Sequence, residues 1–154
     1  MIKYVHFGLI GILAFAIVAV LVMGGEEPGL YTSPEMYSPK DRISADQIQV
    51  FSDRVVLNIE KPMWAGFADT NSMDPFIDYG ANSIEIKPSS ASDIEVGDVI
   101  SYFYGDDLVV HRVIMVGEDE EGIFYIVKGD NNSRPDPEVV RFEQVHGVLV
   151  AVIY

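Results

Sequence analysis

The chain reads as mainly β, with a single N-terminal transmembrane helix followed by a compact β domain of barrel or sandwich type. Three observations predict this. Tyr4 to Gly25 is an almost wholly apolar run whose only strongly polar member is His6. From Gln47 onward, short runs rich in Val, Ile, Phe and Tyr alternate with Gly, Asp and Asn turns. Nothing after Thr70 has the period of a long amphipathic helix, save a possible turn at Ser89 to Ile94.

The apolar run is long enough to cross a hydrocarbon core of about 30 Å at about 1.5 Å per residue. It exceeds the apolar stretch of a cleaved secretory signal, and Leu21-Val22-Met23-Gly24-Gly25 has no Ala-x-Ala exit. Residues 1–25 are therefore expected to be a retained anchor. Lys3 lies on one side and Glu26 and Glu27 on the other, which places the amino terminus in the cytoplasm and the rest of the chain outside. The chain is thus expected to be a single-pass protein of the cell membrane.

Residues 26–46 carry Pro28, Pro34 and Pro39 with Gly29, Ser33 and Ser38 and show no apolar period, the composition of a linker. Residues 47–154 then form the β domain. Its strands are expected at 48–51, 54–59, 64–68, 83–87, 98–104, 108–116, 123–128 and 147–153.

All 24 acidic residues lie beyond residue 25, and the net charge of the 154-residue chain is −14. So acidic a domain is a poor partner for nucleic acid, whose phosphates require positive charge. It tolerates or attracts a substrate with a basic flank. With no cysteine, disulfides, thiol catalysis and thiolate zinc sites are excluded.

Three strings carry chemistry: Asn71-Ser72-Met73-Asp74-Pro75, Val109-Val110-His111-Arg112-Val113 and Lys128-Gly129-Asp130-Asn131-Asn132, with Asp136 following in the same loop. A hydroxyl, an imidazole and a carboxylate at strand ends and turns are the parts of a nucleophilic hydrolase. Ser72 falls just beyond the run Trp64 to Ala68, at a strand end. His111 shares a strand face with Val109, Val113 and Met115 by two-residue alternation, and Arg112 takes the opposite face and a structural role. Gly129-Asp130-Asn131-Asn132 is a strong turn signal that returns Asp130 and Asp136 toward the histidine strand. Each residue alone has a plainer reading, a turn serine, a packed strand histidine and a turn aspartate. A calcium loop at 130–136 is rejected, because Arg134, Pro135 and Arg141 stand where its ligands and glycine belong. No metal or cofactor is expected. The sequon Asn131-Asn132-Ser133 is read as chance, since a glycan there crowds the same turn.

In order and spacing these strings resemble signal peptidase I, in its archaeal and endoplasmic-reticulum branch. The resemblance spans roughly residues 68–150 and rests on Ser72-Met73-Asp74-Pro75, His111-Arg112-Val113, Gly129-Asp130-Asn131-Asn132 with Asp136, and Gly97-Asp98-Val99-Ile100. A histidine where the bacterial branch has lysine points away from that branch and from self-cleaving repressors. The resemblance implies a serine endopeptidase in which Ser72 is the nucleophile and His111 the base. By position in the family pattern Asp136 is favoured as the partner of His111, with Asp130 as a second acid that shapes the loop. Thr70 and the Ser72 N–H are the expected oxyanion donors. The implied substrates are signal peptides of exported preproteins, cut after a small residue, with partners in the secretion machinery unidentified. Trp64, Phe67 and Met73 are expected to face the substrate or the lipid bilayer; for Trp64 and Phe67 ordinary core is an equal reading. Asn71 departs from the family, where glycine is commoner, and is expected to narrow or redirect the groove. Two alternatives accompany this reading: a protease for a narrower set of secreted or surface proteins, and an idle relative that binds extended peptides.

Overall fold

A computed structural model describes residues 36–154. The anchor expected at residues 1–25 and the first part of the linker lie outside the described residues. Among the described residues no helix is long and apolar enough to cross a membrane.

The fold is mainly β and antiparallel throughout. β1 (Ile48–Val50) and β2 (Val55–Leu57) pair as a two-stranded ribbon. The other strands are β3 (Met63–Gly66), β4 (Asn82–Ile86), β5 (Val99–Tyr104), β6 (Asp107–Asp119), β7 (Gly122–Lys128), β8 (Val140–Arg141) and β9 (Val145–Ile153). They form one sheet in the order β3-β4-β9-β5-β6-β7-β8. All eight expected strands are present with shifted ends, and the turn read at Ser89 to Ile94 is a short 3-10 segment, Ala91–Asp93. The sheet is open, not a closed barrel. Its edges are β3 and β8, only four and two residues long, and short edges present little unpaired backbone.

β5 and β9 lie at the middle of the sheet, which explains their near-continuous apolar sequences. Val99, Ile100, Ser101 and Tyr102 are all buried, because both faces of β5 are covered. Ile100 and Tyr102 join one cluster with Val113, Tyr125, Val127, Val145 and Val148. Val99 joins Leu149, Met73 and Ile77 on the other. The second cluster is closed by the long β3–β4 connection, which brings Ser72 over the sheet.

The alternation expected along β6 holds only as far as Val113. Val113 pairs with Val127 and Met115 with Ile126, so Ile114 is an extra residue and the strand bulges there. Met115 is consequently exposed and does not share the buried floor of Val113.

Part of the stretch read as linker is tied to the domain. Arg42 Nη2 lies 2.7 Å from Asp98 Oδ2, and their side chains are 7% and 0% exposed. The Lys40 and Glu95 N–H groups donate to Asp98 at 2.9 Å each. Gly97, at φ +102°, lies so close to the Ser38 carbonyl that a Cβ there would overlap it. The Gly-Asp string at 97–98 thus serves as a dock for residues 38–42. Removing one member of a buried ion pair strands the other, at a cost of about 3 kcal/mol or more. Arg42→Met is therefore expected to lower the unfolding free energy, measured by urea titration, by about that amount. Lys40→Met, at the partly exposed Lys40–Glu95 pair, should change the same urea titration little.

Candidate active site

The serine loop is shaped by its first residues. Asn71 has φ +57°, a left-handed conformation in which L-residues other than Gly and Asn are strained. This accounts for asparagine where the resemblance leads one to expect glycine. Asn71 itself is not among the residues lining the groove. Met73 and Ile77 are buried and pin the following turn to the core. Just ahead of these anchors Ser72 is half-buried, and its Oγ is 3.1 Å from Thr70 Oγ1.

A second loop grips this one. The Asn131 N–H donates to the Ser72 carbonyl at 3.0 Å, and Asn131 Nδ2 donates to the Asn71 carbonyl at 2.9 Å. A Cβ on Gly129 would stand 2.5 Å from the Ser72 carbonyl oxygen, so the approach requires glycine. Lys128 Nζ closes the turn from below, donating to the Gly129 and Asn132 carbonyls at 2.8 Å each. Asp130 is engaged from the side: Arg112 Nε and Nη2 donate to its two oxygens at 2.8 and 2.7 Å, a bidentate pair. Asp130 thus faces Arg112, and Arg112 Nη1 also donates to the Gly97 carbonyl at 2.8 Å.

Asp136 is the aspartate that meets the histidine. Its Oδ2 is 2.9 Å from His111 Nδ1, and its own N–H donates to the Val127 carbonyl at 2.9 Å, which fixes the backbone between Pro135 and Pro137. The same Oδ2 accepts a short hydrogen bond from the Tyr102 hydroxyl. In the neutral ring a carboxylate oxygen facing Nδ1 selects the tautomer with the proton there, which leaves Nε2 as the lone-pair nitrogen. Tyr102 was not singled out from sequence. It lies on β5 opposite Val109, diagonal to His111 across the β5–β6 register, and only that register reveals it. Burial, and then the hydrogen bond to Asp136, push its hydroxyl well above the usual tyrosine range.

Ser72 and His111 line one groove of about 330 Å³. Ala65 to Ala68 and Thr70 form one wall, Leu108 to Val110 another, and Met73 and Ile77 contribute apolar surface. Among the described residues Ser72 Oγ makes its hydrogen bond to Thr70 and none to His111. Two strand edges run along the groove. Among the described residues β3 has no partner on its outer side, and β6 pairs with β7 only from Arg112 onward, which leaves Leu108 to His111 paired with β5 alone.

The three apolar residues expected to face substrate or bilayer separate. Phe67 lines the groove. Trp64 is 70% exposed, lies outside the groove lining, and donates its indole N–H to Asn82 at 3.0 Å. Met73 is 4% exposed and packs in the core, with its sulfur accepting the Asp130 N–H; it can border the groove but cannot face a bilayer.

No protein-family model matches the chain, and a search of curated proteins finds no match.

The loop geometry predicts the effect of two substitutions on stability. Asn71→Gly should be tolerated, whereas Asn71→Ala is expected to lose about 1 kcal/mol through left-handed strain. Gly129→Ala should cost more than Asn71→Ala, because its methyl group meets backbone. Urea denaturation of the three variants checks the order, and an unaffected Gly129→Ala would contradict the close approach.

Proposed function

We propose that the chain is a membrane-anchored serine endopeptidase of the signal peptidase I type, which removes signal peptides from exported preproteins by cutting after a small residue. The observation that carries this reading is the meeting of Ser72 and His111 at one groove, with His111 hydrogen-bonded to Asp136. The resemblance in the order and spacing of the three strings supports it further, as does the apolar run from Tyr4 to Gly25.

In this reading an extended peptide lies along the groove as an added strand, using the free backbone of β3 and of Leu108 to His111. Ser72 Oγ attacks the scissile carbonyl carbon as His111 Nε2 takes its proton. The C–N bond then breaks, the same proton passes to the leaving amine, and water hydrolyses the acyl-serine ester by the reverse relay. Asp136 holds the imidazole in its Nδ1–H form and stabilises the imidazolium. The Ser72 N–H and the Thr70 hydroxyl, which lies 3.1 Å from Ser72 Oγ, are the donors the resemblance implies for the oxyanion. The anchor keeps this groove at the height where a signal peptide leaves the bilayer, which raises its effective concentration.

A second reading, an idle relative that binds extended peptides, draws on the pairing of Ser72 Oγ with Thr70 in place of His111. The full chain in detergent, given a preprotein whose signal ends in Ala-x-Ala, separates the two. Cleavage is expected, and Ser72→Ala or His111→Ala should reduce turnover by about four or more orders of magnitude. Binding without cleavage, or equal cleavage by Ser72→Ala, sinks the hydrolase reading.

The two aspartates give a further contrast. Asp136→Asn is expected to lower kcat by about four orders of magnitude, since an amide presents the wrong partner to Nδ1–H. Asp130→Asn keeps one acceptor for Arg112 and should act mainly through stability. The reverse order in steady-state kinetics would exchange their assignments.

A further inference from the structure

Tyr102 is 1% exposed, in the centre of the apolar cluster that β5, β6, β7 and β9 share. A buried hydroxyl needs a partner. Among the described residues its partners are Asp136 Oδ2 and, at 3.4 Å, His111 Nδ1. Tyr125 offers a comparison within the same cluster: it is 0% exposed and donates to the Ala91 carbonyl at 2.6 Å. That acceptor is a backbone group already fixed by the chain. The acceptor of Tyr102 is a side chain free to rotate about its Cβ–Cγ bond, and it is the very atom that His111 uses.

Among the described residues, every side-chain hydrogen bond of Asp136 is made through Oδ2. The carboxylate is 17% exposed, so water competes for it. With two donors on Oδ2 the carboxylate has one orientation. With the imidazole alone it is held by a single bond, and rotation or hydration frees Nδ1.

We propose that Tyr102 is a positioning residue: its hydroxyl fixes the Asp136 carboxylate, and through it the Nδ1–H form of His111. The spectroscopic part of this proposal stands on geometry alone, and its kinetic part rests on the hydrolase reading. Tyr102 touches no substrate; it acts through Asp136. Because its hydroxyl stays protonated, it serves as a donor at any working pH.

The test uses the full chain in detergent micelles, labelled with 15N-histidine, and compares wild type with Tyr102→Phe and Tyr125→Phe. Wild type is expected to show a far-downfield His111 Nδ1–H proton with the nitrogen shifts of a single tautomer, and a nuclear Overhauser contact from that proton to the Tyr102 hydroxyl. Tyr102→Phe should lose the downfield proton and give averaged nitrogen shifts. Tyr125→Phe, which also loses one buried hydrogen bond, should keep both signatures. If peptides are cleaved, Tyr102→Phe is expected to lower kcat about ten- to a hundredfold with KM unchanged, the worth of one hydrogen bond to a charged group.

An unchanged Nδ1–H signal in Tyr102→Phe overturns the proposal. So does a wild-type spectrum without the hydroxyl contact, which keeps the test decisive should Tyr102→Phe fail to fold. A chain that cleaves nothing yet loses the downfield proton only in Tyr102→Phe refutes the hydrolase reading and leaves the positioning role standing. Equal cleavage by Tyr102→Phe and wild type does the opposite.

Discussion

The groove depends on the contact between the Ser72 carbonyl and the turn at Gly129 to Asn132. The Asn131 N–H donates to that oxygen at 3.0 Å, and the missing side chain of Gly129 lets the two backbones meet. Asn131 Nδ2 adds a bond to the Asn71 carbonyl, whereas Met73 and Ile77 fix the depth of the serine loop by burial. The turn is itself held to β6, because Arg112 grips Asp130 with both arms of its guanidinium. Arg112 is the neighbour of His111, so one strand carries the imidazole on one face and the brace for the serine loop on the other. The strings at 71–75, 109–113 and 128–132 are therefore a mechanical unit before they are a chemical one.

The same arrangement accounts for what was legible in the sequence. Most strands were readable because apolar runs alternate with turns of definite chemistry, whereas the placing of the three strings depends on tertiary structure: Ser72 lies in the β3–β4 connection, His111 within β6 and Asp136 in the β7–β8 connection. β8 was not, since Val140 and Arg141 form a two-residue strand too short to display a period. The bulge at Ile114 was hidden as well: the run Val113 to Val116 is apolar throughout, and only the partner strand reveals which residue is extra. Tyr102 escaped for a different reason. A tyrosine in a buried strand has the sequence signature of core, and what distinguishes it from Tyr125 is the acceptor it finds across two loops. Asn71 was visible, but its meaning was not, because a backbone angle leaves no mark except the tolerance for glycine and asparagine.

Charge is distributed by the same logic. The chain has only 10 lysines and arginines against 24 acids, and several of the cations are committed internally. Arg42 pairs with Asp98 and Asp93, Arg112 with Asp130, and Arg141 with Asp119. Lys128 is spent on the carbonyls of its own turn. These pairs act as fasteners between segments distant in sequence, whereas acids such as Asp69, Asp106 and Asp107 stay exposed near the groove walls. The field there is negative, and under the proposed function it would favour a peptide with a basic flank and repel phosphate.

Asp130 and Asp136 occupy one loop yet have unlike surroundings, and the difference comes from their neighbours. Asp130 meets a guanidinium that engages both of its oxygens and turns the carboxylate toward Arg112. Among the described residues no lysine or arginine pairs with Asp136. It meets two neutral-capable donors, an imidazole N–H and a phenol, on a single oxygen. A full positive charge at that oxygen would draw the carboxylate away from Nδ1 and oppose the build-up of imidazolium, whereas a phenol orients the carboxylate and leaves its negative charge to face the ring. Pairing the arginine with the first aspartate and the tyrosine with the second is thus the assignment that the proposed proton-accepting role of His111 requires; exchanging the two partners would leave the serine-loop turn without its brace and place a cation against the carboxylate that faces the imidazole.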